Sequence, residues 1–132
     1  DAIDWTNHNA NSFGVQDRLQ LMETDCLFGV DRKFAFIVSN PPYIRTGDLD
    51  ALSGEVTAHD PMAALDGGAD GLKIYRKILE QSRKHLSADG MLYLETGHGQ
   101  HAELEQLADE LGWGIVSKHL DLSDLERIVV LQ

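Results

Sequence analysis

Apolar positions along the chain change their period several times, and each change marks an element. Leu72, Tyr75, Ile78, Leu79 and Leu86 recur at helical spacing through GLKIYRKILEQSRKHL, which predicts an amphipathic helix. A second stripe through Leu104, Leu107, Ala108 and Leu111 predicts another helix, stopped by Gly112. Between the two, Ala88-Asp89-Gly90 reads as a turn into the strand MLYLE. Near the start, AIDWTNHNANSF reads as the end of a helix that Gly14 stops, and RLQLME as a strand with Leu19 and Leu21 on one face. The run FAFIV is apolar at every position, the pattern of a parallel strand covered on both sides. GIVSKH and RIVVLQ read as an antiparallel closing pair across Asp121 to Glu126. Residues 40–70 contain all three prolines and read as a long loop, a feature that compact domains reserve for function or disorder. Helix and strand alternating in this way predict an α/β three-layer sandwich. In such a sheet ligands sit beyond the carboxyl ends of the strands, and Asn40 stands at the end of FAFIVS.

Composition narrows the classes. The chain has 132 residues, 42% of them hydrophobic and 25% charged, which fits one ordinary globular domain. Its formal charge of -11 argues against stable nucleic-acid binding, which needs a basic surface. A single cysteine, Cys26, leaves no internal disulfide, and a cytoplasmic location is expected. The longest apolar run has five residues, far short of the roughly 20 that cross a bilayer, so no membrane association is expected. Of the six histidines, His98 and His101 lie closest. No acid or cysteine cluster at ligand spacing joins them, and no metal site is expected. The chain opens at Asp1 without an initiator methionine, which reads as an excised, processed or only partly represented protein.

The candidate chemistry lies in Ser39-Asn40-Pro41-Pro42-Tyr43, directly after the apolar run. Two consecutive prolines fix φ near -65° and remove two backbone donors. Each also keeps the residue before it out of the helical region. The backbone carbonyls of Asn40 and Pro41 are thus held in a stiff loop, and with the Asn40 side-chain amide they offer preorganised acceptors suited to a planar NH2 group. Tyr43 adds an aromatic face for a planar substrate or for developing positive charge. The plainer reading is a proline-stiffened turn capped by asparagine.

Asn-Pro-Pro-Tyr after an apolar strand resembles the hallmark of S-adenosylmethionine-dependent amino-methyltransferases, which act on adenine, cytosine or glutamine NH2 groups. Four further stretches narrow the resemblance. AALDGGADGLKIYRKIL, residues 63–79, is similar to the A-L-D-G-G-x-D-G-L-x-x-Y-R block of the peptide-chain release-factor glutamine methyltransferases. GMLYLETGHGQ resembles their G-x-x-x-x-E-x-G-x-x-Q strand and turn, and NANSFGVQDRLQLMETDCLF their N-A-x-x-x-G-x-x-x-R segment. DLERIVVLQ is similar to their closing strand. GEVTAHDP stands where they carry E-V-x-x-x-E-P, with His59 and Asp60 as departures.

The resemblance implies a Rossmann-like methyltransferase fold incomplete at its N-terminal side. Residues 1–132 would form the carboxyl-terminal portion of a catalytic domain, without the glycine-rich cofactor loop and the N-terminal helical domain. It implies S-adenosyl-L-methionine as cofactor and release factors as protein substrate. Asn40, Pro41 and Tyr43 are then catalytic, and Asn40, Pro41, Pro42 and Tyr43 bind the glutamine. Asp25, Cys26 and Asn40 lie against the cofactor, with Cys26 either a small apolar wall or an inert buried thiol. Gly67, Gly68 and Gly71 set the loop before the helix, and Glu95 is an acid behind the site or a surface residue. The resemblance further implies a sheet with a central gap between RLQLM and FAFIV, closed by residues outside this chain or by self-association. The alternatives are a DNA amino-adenine methyltransferase sharing the same motif, and an inactive fragment or interaction module.

Overall fold

A computed structural model describes residues 2–51 and 61–132. Its elements in chain order are helix α1 (Ala2–Ser12), strand β1 (Phe34–Ser39), helix α2 (Lys73–His85), strand β2 (Leu86–Glu95), helix α3 (His101–Glu110), strand β3 (Ile115–Leu120) and strand β4 (Glu126–Leu131). Short 3-10 turns cover Gln16–Arg18, Thr46–Ala51 and Met62–Ala64. The four strands form one sheet in the order β1-β2-β4-β3. β1 runs parallel to β2, while β2 and β3 both pair antiparallel with β4.

Side-chain period explains where the core sits. Leu92 pairs with Leu131 and Leu94 with Val129, so these four share one sheet face, and all four are fully buried. Against them pack Tyr75, Ile78 and Leu79 of α2 and Leu104, Leu107 and Ala108 of α3. The predicted helical stripes are therefore the core faces of α2 and α3. Both helices end as expected. Gly112, at φ +76, follows α3, and the last turn of α2 carries Arg83, Lys84 and His85, cations favoured at the negative end of a helix dipole. The guanidinium of Arg83 then stacks over the buried Trp113 ring, 4.7 Å from its centre. The helix at the start is also found, with Gly14 at φ +63 just beyond it, although Ala10 is its one buried residue among those described.

Four expectations are corrected. RLQLME forms no strand: Leu19 has extended backbone (φ -116, ψ 130), but no described strand lies alongside it. An extended segment without ladder partners keeps its side chains in water, as Leu19 and Met22 do. For the same reason the described sheet is continuous rather than split at its centre. FAFIV is not covered on both sides either. β1 is an edge strand, and Phe36 and Val38, on the face away from the helices, are 62% and 77% exposed. The most buried strands are β2 and β4 instead. Finally, Ala88-Asp89-Gly90 does not separate helix from strand, because β2 begins at Leu86 directly after α2. The register jumps from Phe34–Leu86 to Phe36–Met91, so the turn-forming triplet is absorbed as an irregularity inside the strand.

The GEVTAHDP stretch, with His59 and Asp60, falls almost wholly outside the described residues. No described helix is long and apolar enough to cross a membrane.

Candidate functional site

β1 ends at Ser39, paired with Leu94, and the chain leaves the sheet through Asn40. Asn40 is exposed, Pro41 buried, and Pro42 and Tyr43 half-buried. Among the described residues neither the Asn40 side chain nor the Pro41 carbonyl has a hydrogen-bond partner. The Asn40 side chain is open to solvent there, and Pro41 lines the cavity beside it. A shallow cavity of about 160 Å³ lies over this stretch, lined by residues 40–44 with Ala64 and Leu65. A second, of about 350 Å³, opens on the other side of Tyr43, between residues 43–45 with Asp48 and residues 97–100.

Beyond Tyr43 the chain is held by the glycine-rich block. Ile44 and Asp66 form a parallel bridge, with Ile44 N–H donating to the Leu65 carbonyl (3.1 Å) and Gly67 N–H to the Ile44 carbonyl (2.7 Å). The Asp66 carboxylate accepts from the Thr46 hydroxyl at 2.7 Å and the Gly68 N–H at 3.0 Å. These two bonds, the hydroxyl first, hold its carboxyl below the usual range. Asp70 does the equivalent work at the start of α2. It accepts from Arg76 at 2.6 and 3.2 Å and from the Leu72 N–H at 3.0 Å, which lowers its pKa to about 2. Gly67 abuts the NPPY exit directly, since a Cβ there would stand 2.8 Å from the backbone C and Cα of Tyr43. The three glycines thus set loop geometry, Gly67 and Gly71 against Tyr43 and Gly68 against the Lys73 side chain.

The same stretch is gripped from the opposite direction by a residue to which sequence reasoning gave no role. Gln100, 8% exposed, donates from Nε2 to the Tyr43 carbonyl at 2.8 Å. It lies in the turn between β2 and α3, and the neighbouring His101 is fixed by a 2.7 Å contact of its Nε2 with the buried Thr96 hydroxyl. Gln100 closes the ETGHGQ stretch, a signal that the sequence carried without its meaning. Glu95, at the end of β2, accepts the Tyr75 hydroxyl on its backbone carbonyl at 2.6 Å. Its backbone supports the core, and burial pushes the Tyr75 hydroxyl pKa well up.

Asp25 and Cys26 stand apart from this assembly. They lie in a turn over α2, where Leu27 N–H donates to Gln81 Oε1 at 2.7 Å and Lys77 pairs with Asp25 at 2.7 Å. The Lys77 ammonium, through its hydrogen bond and then its charge, holds the Asp25 carboxyl low. Cys26 adopts φ +57, packs against the core cluster, and has its thiol pKa raised by burial and then by the Asp25 charge. It is a protonated, apolar thiol at neutral pH. Neither residue lines the cavity at Asn40. The described residues therefore do not gather Asp25, Cys26 and Asn40 into one cofactor cavity.

No family model matches the chain. A release factor glutamine methyltransferase of Geobacter sulfurreducens is 41% identical over 97% of this chain and 45% of its own length. One from Agrobacterium fabrum is 33% identical over 100% of this chain and 46% of its own. The chain spans a quarter to just under half of the length of the curated relatives it matches. Among solved structures, ribosomal protein L11 methylase from Lactobacillus delbrueckii subsp. bulgaricus superposes with a TM-score of 0.66 at 21% identity, over 98% of this chain and 51% of that one. That likeness bears on the fold, which is the α/β methyltransferase type expected. By sequence, the chain is similar along nearly its whole length to the carboxyl-terminal portion of release factor glutamine methyltransferases.

Proposed function

We propose that the protein containing these residues methylates the side-chain amide nitrogen of a glutamine in a peptide-chain release factor, with S-adenosyl-L-methionine as methyl donor. The observation that carries this reading is the pair of unpartnered acceptors, the Asn40 side-chain oxygen and the Pro41 carbonyl, on a proline-stiffened exit from β1. The names of the relatives supply the substrate class.

An amide nitrogen is a poor nucleophile because its lone pair is delocalised into its carbonyl. Asn40 and Pro41 accept the two amide hydrogens, which fixes the NH2 plane and so the direction of attack. As the nitrogen gains positive charge the two acceptors bind it more strongly, which is transition-state rather than ground-state binding. Pro42 keeps the stretch rigid, and Tyr43 walls the cavity on its far side. S-adenosyl-L-methionine, when bound, supplies an electrophilic methyl group.

The test is transfer of labelled methyl to purified release factor, with Asn40→Ala as control. Wild-type protein labels the release factor, and Asn40→Ala lowers kcat roughly 10²-fold. The fold of the variant is unaffected, because the Asn40 side chain is exposed and makes no described hydrogen bond. Label on DNA, or undiminished transfer by Asn40→Ala, refutes the reading.

A further inference from the structure

We propose that Gln100 is a positioning residue for methyl transfer, holding the carbonyl of Tyr43 so that the acceptors at Asn40 and Pro41 keep their aim. The inference rests on the function proposed above.

The hydrogen bond from Gln100 is a poor device for stability. Gln100 Nε2 makes one bond, to Tyr43, while Oε1 is buried without a partner among the described residues. A single bond contributes less to stability than an unsatisfied buried acceptor costs. An apolar side chain of similar size avoids the unpaired Oε1 but takes the donor away from the Tyr43 carbonyl. The amide is therefore best explained by where it puts Tyr43.

The surroundings are cut to fit that one contact. A Cβ at Gly71 would stand 2.3 Å from Gln100 Nε2 and 2.6 Å from the Tyr43 carbonyl oxygen. A Cβ at Gly97 would stand 2.5 Å from Gln100 Oε1 and 2.7 Å from Tyr43 Cδ2. Real Cβ atoms do not approach so closely, so two glycines from segments far apart in sequence leave the room that the Gln100–Tyr43 pair fills.

Geometry then links the contact to the acceptors. From Ser39 to Tyr43 the chain is short, and two of its φ angles are fixed by proline. Its near end is tied to β2 through the Ser39–Leu94 pair. Its far end is tied by Gln100, which lies just beyond the same strand. With both ends held by one element, the Pro41 carbonyl between them has little freedom. Without Gln100 the far end keeps only the Ile44 bonds to Leu65 and Gly67, and the Tyr43 peptide can turn enough to carry the acceptor off line.

The experiment measures methyl transfer to release factor by the full gene product carrying residues 1–132. Gln100→Met keeps the volume and removes the donor; Gln100→Asn keeps an amide but draws it back from Tyr43, and decides the matter should the methionine variant not fold. Leu104→Ala, a fully buried core truncation in α3, controls for loss of stability alone. Both Gln100 variants are expected to lower kcat about tenfold or more with KM for the release factor unchanged, while Leu104→Ala, assayed below its melting temperature, keeps its kcat. Wild-type kcat in a folded Gln100 variant overturns the inference, as does an equal loss in Leu104→Ala. Wild-type protein that labels no release factor takes down the proposed function and this inference together, whereas an active wild type with indifferent Gln100 variants takes down this inference alone.

Discussion

The two stretches that the sequence nominates for ligand contact, residues 40–43 and residues 25–26, are supported in opposite ways. The first is held by buried, neutral contacts from three distant parts of the chain: β2, the Leu65–Gly71 block, and Gln100. The second rests on an exposed ion pair to Lys77, a Leu27 N–H bond to the Gln81 side chain, a Phe28 N–H bond to the Asp25 carbonyl and the packing of Cys26 on the core, with Cys26 in a left-handed conformation uncommon for a residue with a side chain. Buried neutral contacts give fixed geometry at any ionic strength, while an exposed ion pair is screened and permits motion. Precise placement in this chain is concentrated at the proposed NH2 cradle rather than at residues 25–26.

The contrast can be broken most visibly at Gly71. It has φ +78 and no room for a Cβ, whereas Gly99 has φ +79 and nothing within 4 Å of that position. Gly99→Ala carries the conformational penalty alone, about 1 kcal/mol. Gly71→Ala adds a collision with Tyr43 and Gln100, for a total of roughly 2–4 kcal/mol. Urea unfolding of the two variants side by side isolates the crowding. Equal losses would mean that the NPPY exit is not tightly gripped.

A smaller effect is expected at Tyr75, whose hydroxyl supports the strand from which the Gln100 turn departs. Tyr75→Phe keeps the buried ring and removes one hydrogen bond, for about 1 kcal/mol. Because burial raises the hydroxyl pKa, the loss should be the same at pH 6 and pH 8. A loss that grows with pH would contradict that assignment.

Legibility in the sequence depends on which forces are local. The stripes of α2 and α3 were readable because helical period and burial coincide, and the β3–β4 pair because its two runs flank a short polar turn. Asn40 was readable as a strand-end residue because proline chemistry is local. RLQLME and FAFIV were misread for one shared reason. Whether an apolar segment is paired and covered depends on what lies beside it, and neither Leu19 nor Val38 reports its neighbours. Gln100 escaped notice for a related reason. Its partner Tyr43 is 57 positions away, and a lone glutamine before a helix has many ordinary uses.

Asp70 and Asp25 sharpen the contrast with the least perturbation. Each is a carboxylate held low by a cation, but Asp70 also accepts the Leu72 N–H where the block that grips Tyr43 enters α2. Its pKa of about 2 lies below the ordinary value of about 3.9. A depressed folded-state pKa means stability that is present above the unfolded value and lost as pH falls through the folded one. Asp70 therefore contributes at neutral pH and loses that contribution between about pH 4 and pH 2, so Asp70→Asn should flatten the acid limb of a stability–pH curve.

Asp25 is shifted in the same direction by Lys77, yet its side chain is 65% exposed, and solvent screens the pair. Asp25→Asn should leave the urea midpoint at neutral pH unresolved from wild type, and moderate salt should remove what difference there is. If Asp25→Asn instead matches Asp70→Asn in size, the turn at residues 25–26 is as firmly built as the cradle at 40–43. Placement would then be shared between the two stretches rather than concentrated in one.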